Sequence, residues 1–150
     1  MALKQRIESD LKAALLGGDR FVGETLRGLK AAILNEEVAQ NKRDTGLDDA
    51  VIEQIVAKEI KKRNESAALY EQNMREDSAA DERREAEILG HYLPEQLSEA
   101  ELKTVVDAKV AELGATDAKM MGQVIGAVKK DVGNKADGQL IARLVKEALS

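Results

Sequence analysis

Apolar side chains recur three or four positions apart along almost the whole chain, and this spacing constrains the fold more than any other feature. The first stripe has one apolar residue every four positions: Leu3, Ile7, Leu11 and Leu15. The second stripe has intervals of three to five positions: Val22, Leu26, Leu29, Ile33 and Val38. Such a period places side chains on one face of an α-helix, whereas a strand needs alternation by two. We therefore predict an all-α fold.

Composition agrees with helices. Of the 150 residues, 43% are hydrophobic and 22 are alanine, the best helix former. The aromatic residues are only Phe21, Tyr70 and Tyr92. A chain of this length buries about 70% of its unfolded surface, so it can form a hydrophobic core without disulfides.

Glycine, aspartate and serine signals divide the stripes into seven predicted helices, at about 2–16, 20–41, 49–73, 78–92, 99–113, 118–132 and 138–149. Glycines at 17–18, 114 and 133 are typical helix stops. Side-chain oxygens that can accept first-turn N–H groups predict caps at five positions: Asp19, Asp48, Ser98 in a capping box with Glu101, Thr116 or Asp117, and Asp137.

Pro94 is the only proline and it marks a boundary. A residue that precedes proline is pushed away from helical geometry, so the fourth helix should end before Leu93, at about Tyr92. Three short helices with their own caps and stripes follow. We predict an N-terminal helical domain of long helices over 1–93 and a C-terminal three-helix bundle over 94–150.

The residue inventory excludes several kinds of site. Cysteine is absent and His91 is the only histidine, so thiolate or multi-histidine metal sites and cysteine nucleophiles are excluded. The acidic run at 81–87 gives no sign of the dry pocket that acid–base chemistry needs. We assign no catalytic residue and no metal ligand, and we interpret His91 as a charge at a helix end.

No segment predicts a cofactor, a membrane span or an export signal. The glycine spacings match neither a phosphate-binding loop nor a dinucleotide fingerprint. No run approaches the roughly 18 apolar residues of a membrane helix, and the first residues lack the apolar centre of a signal peptide. We expect no cofactor, no membrane partner and a cytoplasmic location.

Gly122 and Gly126 lie inside the predicted sixth helix, where each glycine costs about 1 kcal/mol relative to alanine. One interpretation is close packing, in which both glycines let a neighbouring helix approach. The other is that the bare backbone meets a ligand. Close packing is the simpler explanation, and we adopt it as the prediction.

The net charge of the chain is −5, so any nucleic-acid contact needs a local basic surface. Residues 115–150 are basic, with six cations against four acids: Lys119, Lys129, Lys130, Lys135, Arg143 and Lys146. The third helix carries a smaller basic patch: Lys58, Lys61 and Lys62. The turn 133–138 leads into a helix N-terminus, which leaves two interpretations open: an anion site beside Lys135, or an ordinary solvated turn.

Several sequence blocks together resemble one family. They are Lys58-Glu59-Ile60-Lys61-Lys62-Arg63-Asn64-Glu65-Ser66, then Tyr70, then Tyr92-Leu93-Pro94-Glu95-Gln96-Leu97-Ser98, and the Met-Gly-x-Val-x-Gly and Ala-Asp-Gly stretches after residue 120. In this order they resemble the GatB/YqeY family, and the chain is similar to its stand-alone YqeY type. The resemblance implies an N-terminal helical domain and a three-helix tail. In the related amidotransferase B subunit, the equivalent tail is thought to contact tRNA.

The resemblance implies a function linked to tRNA. The leading hypothesis is a non-catalytic accessory protein of tRNA-dependent amidation or aminoacylation, which binds tRNA or a tRNA-handling enzyme through the six cations of the tail. A second is a carbon–nitrogen ligase that uses glutamine as amido donor, although no catalytic constellation is visible. A third is a helical protein–protein adaptor. The sequence leaves the oligomeric state open.

Overall fold

The computed structural model describes residues 2–150, and every regular element in that range is helical. Seven α-helices follow one another: α1 (Leu3–Leu16), α2 (Arg20–Ala39), α3 (Asp49–Gln72), α4 (Glu76–Gly90), α5 (Glu99–Leu113), α6 (Met121–Val132) and α7 (Gly138–Ala148). Short 3₁₀ turns, Ala118–Met120 and Gly133–Lys135, flank α6. Residues 2–150 contain no strand, which confirms the predicted all-α fold.

The helices fall into two compact units, one that ends at Leu93 and one that begins at Pro94. The first unit holds α1–α4 around a hydrophobic core: Leu3, Ile7, Leu11, Leu26, Leu29, Ile33, Leu47, Ile52, Val56, Leu89 and Tyr92. The second unit holds α5–α7 around another core: Leu102, Val106, Ala115, Val124, Val128, Val132, Ile141, Leu144 and Val145. Each unit therefore buries its own apolar stripes.

Side-chain caps begin several of these helical segments as predicted. Ser98 and Glu101 form the full capping box, with bonds of 3.0 and 3.1 Å that satisfy two backbone N–H groups at the start of α5. Three carboxylates accept a backbone N–H of the next turn: Asp19 from Val22 at 3.2 Å, Asp117 from Lys119 at 2.9 Å and Asp137 from Leu140 at 3.3 Å.

The cap predicted at Asp48 is wrong. Asp48 does precede α3, but its side chain accepts no capping hydrogen bond. The neighbouring Asp49 instead accepts the backbone N–H of Leu3 at 3.2 Å, although the two residues lie 46 positions apart. A carboxylate of α3 thus satisfies a free donor in the first turn of α1.

Two residues predicted to face the core lie at the surface. Leu15 is 50% exposed and Val38 is 59% exposed. Ala14 is buried on α1, and on α2 the buried position goes to Glu37, which is only 2% exposed. Glu37 tolerates this burial because Lys4 Nζ lies 2.7 Å from its carboxylate. An ion pair between α1 and α2 thus replaces the apolar contact that the spacing of hydrophobic residues predicted.

The end of the first unit is tied back to its beginning. The buried Tyr92 hydroxyl donates to the Asp10 carboxylate at 2.6 Å, and the Arg6 guanidinium lies 4.9 Å from the Tyr92 ring centroid. Arg6 also donates to the backbone carbonyl of His91 at 2.7 Å. Burial, together with the hydrogen bond to Asp10, raises the pKa of Tyr92. Tyr92 therefore acts as a structural anchor, and the His91 side chain is exposed.

Candidate nucleic-acid interface

Three of the six predicted RNA-binding cations gather at the connection between α6 and α7. Lys129 and Lys130 occupy the last turn of α6, and Lys135 ends the following 3₁₀ turn. The Lys129 ammonium packs over the start of α7, since its Nζ lies 3.5 Å from where a Cβ on Gly138 would be. We call Lys129, Lys130 and Lys135 the turn cluster. It places positive charge beside the N-terminus of α7.

Two carboxylates near the turn cluster in sequence, Asp131 and Asp137, form hydrogen bonds with groups outside it. Asp131 accepts from Lys109 at 2.8 Å, and Asp137 caps α7 through its bond to the Leu140 N–H. The hydrogen bonds that Lys109 donates to Asp131 and Glu112 raise its pKa. Within residues 2–150, no carboxylate forms an ion pair with any of five exposed lysines: Lys119, Lys129, Lys130, Lys135 and Lys146. These five lysines remain available to an external anion.

Arg143 differs from the five lysines because two carboxylates hold its guanidinium. It pairs with Glu99 of α5 and, at 2.9 Å, with Glu147 one turn further along α7. The hydrogen bonds that the Arg143 guanidinium donates to Glu99 and Glu147 raise its pKa. Arg143 thus links α7 to the start of α5, and we exclude it from the candidate surface.

Lys119 and Lys146 lie away from the turn cluster. Lys119 lies in the 3₁₀ turn before α6, ten residues from Lys129, which corresponds to about 15 Å along a helix axis. Lys146 lies in the last turn of α7, at the opposite end of that helix from Gly138. Three of the six predicted cations therefore lie around the α6–α7 connection, and these two are flanking charges.

The secondary basic patch on α3 is partly neutralised. Lys62 Nζ lies 3.1 Å from the buried Glu59 carboxylate, which also accepts from Arg63 at 2.9 Å. Burial alone would raise the pKa of Glu59, but the hydrogen bonds from Lys62 and Arg63 outweigh it and the pKa is lowered. Only Lys58 and Lys61 of the patch stay exposed without a carboxylate partner among residues 2–150.

Sequence reasoning missed a polar groove between α3 and α4. It has a volume of about 210 Å³ and is lined by Lys62, Arg63, Ser66, Glu82 and Glu85. Burial and the nearby Glu82 carboxylate raise the pKa of Glu85. The groove thus holds cations on α3 and carboxylates on α4. Apart from the family blocks themselves, the only sequence signal was the charge opposition of the two helices, which is common on solvated faces.

The close-packing interpretation of Gly122 and Gly126 is wrong within residues 2–150. Both glycines are exposed, and a Cβ built on either one would meet no atom within 4 Å outside its own helix. The packing stripe of α6 is formed instead by Val124, Val128 and Val132, which face the core. The glycines therefore lie on the open side of α6.

Replacing Gly122 or Gly126 by alanine should stabilise the protein by about 0.5–1 kcal/mol each, because alanine reduces the conformational freedom of the unfolded chain and clashes with nothing. Urea unfolding followed by circular dichroism measures this gain. Gly114→Ala is the matched control: its site is equally open, but its φ of +63° strains an alanine. Equal effects at all three positions would contradict the explanation.

Residues 2–150 contain neither a membrane-spanning helix nor a cluster of metal ligands. No helix in this part of the chain combines the length and apolar character required to cross a bilayer. No group of three or more His, Asp or Glu side chains there converges in a way that would hold a metal ion.

Comparisons with known proteins agree on one family. The profile described as Yqey-like protein matches residues 4–149. Altered inheritance of mitochondria protein 41, mitochondrial, from Kluyveromyces lactis is 37% identical over 121 residues, which cover 79% of this chain and 59% of that protein. The protein of the same name from Lachancea thermotolerans is 34% identical over 109 residues, with 71% and 55% covered. The chain thus spans less than two thirds of the length of these relatives, and it belongs to the YqeY-like family.

Proposed function

We propose that the protein is a non-catalytic accessory factor of tRNA-dependent amidation or aminoacylation, and that its C-terminal unit binds tRNA. In this proposal the chain comprises an N-terminal helical domain, residues 1–93, and a three-helix tail, residues 94–150, that is similar to the tail of the amidotransferase B subunit. The observation that carries the proposal is the turn cluster, with Lys119 and Lys146 as flanking charges.

Recognition through the RNA backbone fits the chemistry of this surface. Lysines supply point charges to phosphates, and their binding releases counterions from the nucleic acid. Residues 94–150 contain no aromatic side chain, so bases have no ring on which to stack there. A surface of this kind reads the shape and charge of a folded RNA rather than its base sequence.

The cellular location remains a prediction. The chain is expected to be cytoplasmic, whereas the names of the relatives from Kluyveromyces lactis and Lachancea thermotolerans include the word mitochondrial. Transfer RNA is used in both compartments, so the proposed contact does not depend on which one applies. Imaging of a tagged protein in its own cell decides the question.

Removing the turn cluster should weaken RNA binding. We expect Lys129→Ala/Lys130→Ala/Lys135→Ala to lower the affinity for bulk tRNA by more than about tenfold at low salt and to reduce the slope of log K against log salt by about 2–3, since each lost phosphate contact removes slightly less than one unit. Filter binding across a salt series measures both quantities.

A charge-matched variant controls for net charge. Lys12→Ala/Lys42→Ala/Lys103→Ala removes the same three charges from other surfaces, and it should leave the affinity within about twofold of the original. Equal losses in the two triple variants would show that only overall charge matters, and they would overturn the proposed interface. Failure of the unaltered protein to bind tRNA at low salt would overturn the function itself.

A further inference from the structure

A second surface lies in the first unit, on the α1–α2 helix pair. It is a groove of about 410 Å³, lined by residues of α1 and α2 and by Arg43 of the following loop. The two helices run antiparallel along it: Lys30 of α2 lies 4.0 Å from Glu8 of α1, and Lys4 pairs with Glu37. The turn cluster belongs to the other unit, so the groove shares no residue with the proposed RNA surface.

Exposed apolar side chains follow this groove. Ala31 and Leu34 line it, and Leu34 is 37% exposed. Val38, which is 59% exposed, continues the stripe by one turn of α2. On α1, the half-exposed Leu15 lies close to Gly23, where a Cβ would be 3.1 Å from Leu15 Cδ2. Four of the six large hydrophobic side chains exposed in residues 2–150 therefore lie on this helix pair: Leu15, Leu16, Leu34 and Val38. Of these, Leu34 lines the groove and Val38 lies one helical turn beyond it.

The polar lining of the groove is predominantly cationic. The Glu37 carboxylate is buried and neutralised by Lys4, and Glu8 is balanced at 4.0 Å by Lys30. Arg27 and Arg43 also line the groove, and neither has an ion-pair partner within residues 2–150. Two uncompensated guanidinium groups thus stand beside an apolar stripe, a combination that is complementary to an acidic, amphipathic ligand.

We propose that the α1–α2 groove docks an acidic amphipathic helix of a partner protein. Ala31, Leu34 and Val38 repeat at i, i+3 and i+7, the spacing at which one helix presents anchors to another. The stripe from Arg27 to Val38 extends over about 16 Å, which matches three turns of a docked helix. Carboxylates that flank its leucines would reach Arg27 and Arg43. An exposed apolar stripe offers no such complementarity to a phosphate backbone, so a helix fits this surface better than RNA does.

A designed peptide provides the test. The probe is a fluorescein-labelled helix of about 15 residues, with leucines at i, i+3, i+4 and i+7 and glutamates beside them. Fluorescence anisotropy with the full chain should show saturable binding, and amide chemical-shift changes should map to the groove residues of α1 and α2. Leu34→Asp or Arg27→Glu/Arg43→Glu should weaken this binding at least tenfold. Because these side chains are exposed, the variants should keep their helix content by circular dichroism.

Matched controls distinguish peptide binding in the groove from non-specific hydrophobic and electrostatic binding. Leu69→Asp places the same substitution at another exposed leucine, on α3, and Lys103→Glu reverses a charge in the second unit; both should bind like the original chain. The proposal is overturned if Leu69→Asp weakens binding as much as Leu34→Asp, or if a peptide with lysines in place of glutamates binds equally well. It is also overturned if tRNA, but not the peptide, shifts the α1–α2 amides.

Discussion

Replacing Lys4 by methionine is expected to destabilise the protein by about 2–3 kcal/mol, because it leaves the Glu37 carboxylate buried without its cation. Glu37 is only 2% exposed, and Lys4 Nζ is its ion-pair partner at 2.7 Å. The expected loss is smaller than for a fully enclosed pair because the Lys4 side chain is 35% exposed and water can partly screen the charge. Urea unfolding followed by circular dichroism measures the change.

A double replacement tests whether the ion pair is the cause. Lys4→Met/Glu37→Leu removes both charges, and it should recover more than half of the stability lost by Lys4→Met, since no charge then remains buried. Lys12→Met is the control on the same helix, because Lys12 is exposed and should change stability by less than about 0.5 kcal/mol. Equal effects of Lys4→Met and Lys12→Met would contradict the assignment.

Truncation of Leu102 to alanine should have the largest effect on the second unit, a loss of about 2–5 kcal/mol. Leu102 is completely buried in the core formed by α5–α7. A helical unit of this size has only about 3–5 kcal/mol of stability from its core, so the variant should unfold a large share of it. Hydrogen exchange should show lost amide protection throughout α5–α7, and tRNA binding should fall in parallel.

Val105→Ala is the matched control on the same helix. Val105 is only half-buried and packs at the edge of the same core, so its truncation should cost about 1 kcal/mol and leave most of the protection in place. If Leu102→Ala left the exchange rates of α5–α7 unchanged, the core of the second unit would not depend on this side chain.

The helices could be predicted from the sequence because helix caps depend on residues only a few positions apart. The capping box at Ser98 and Glu101 needs only a hydroxyl and a carboxylate three positions apart, and the structure forms it as expected. The position of Glu37 depends instead on Lys4, 33 residues away. The spacing of apolar residues along the sequence carries no information about such a distant partner. A prediction from this spacing therefore places Val38 in the core, whereas the structure places Glu37 there.

The candidate site was predictable only in part, for the same reason. The composition of residues 115–150 identified the lysines, but it did not show that Glu99, 44 positions before Arg143, holds that guanidinium. Gly122 and Gly126 were assigned to packing because interior helix glycines usually need a reason. Their open side has no neighbour in residues 2–150, and spacing alone does not distinguish a packed face from an exposed one.

The bond between Tyr92 and Asp10 has a consequence for biosynthesis. The two residues are 82 positions apart, so the first helix leaves the ribosome long before its anchor has been translated. During that interval the apolar side of the nascent α1 lacks part of its final cover, and contacts of such long sequence separation form late. The first unit can therefore complete its packing only after the segment around Tyr92 has been translated. A ribosome that stalls before this point would carry an incompletely folded unit, whose exposed apolar surface chaperones can bind.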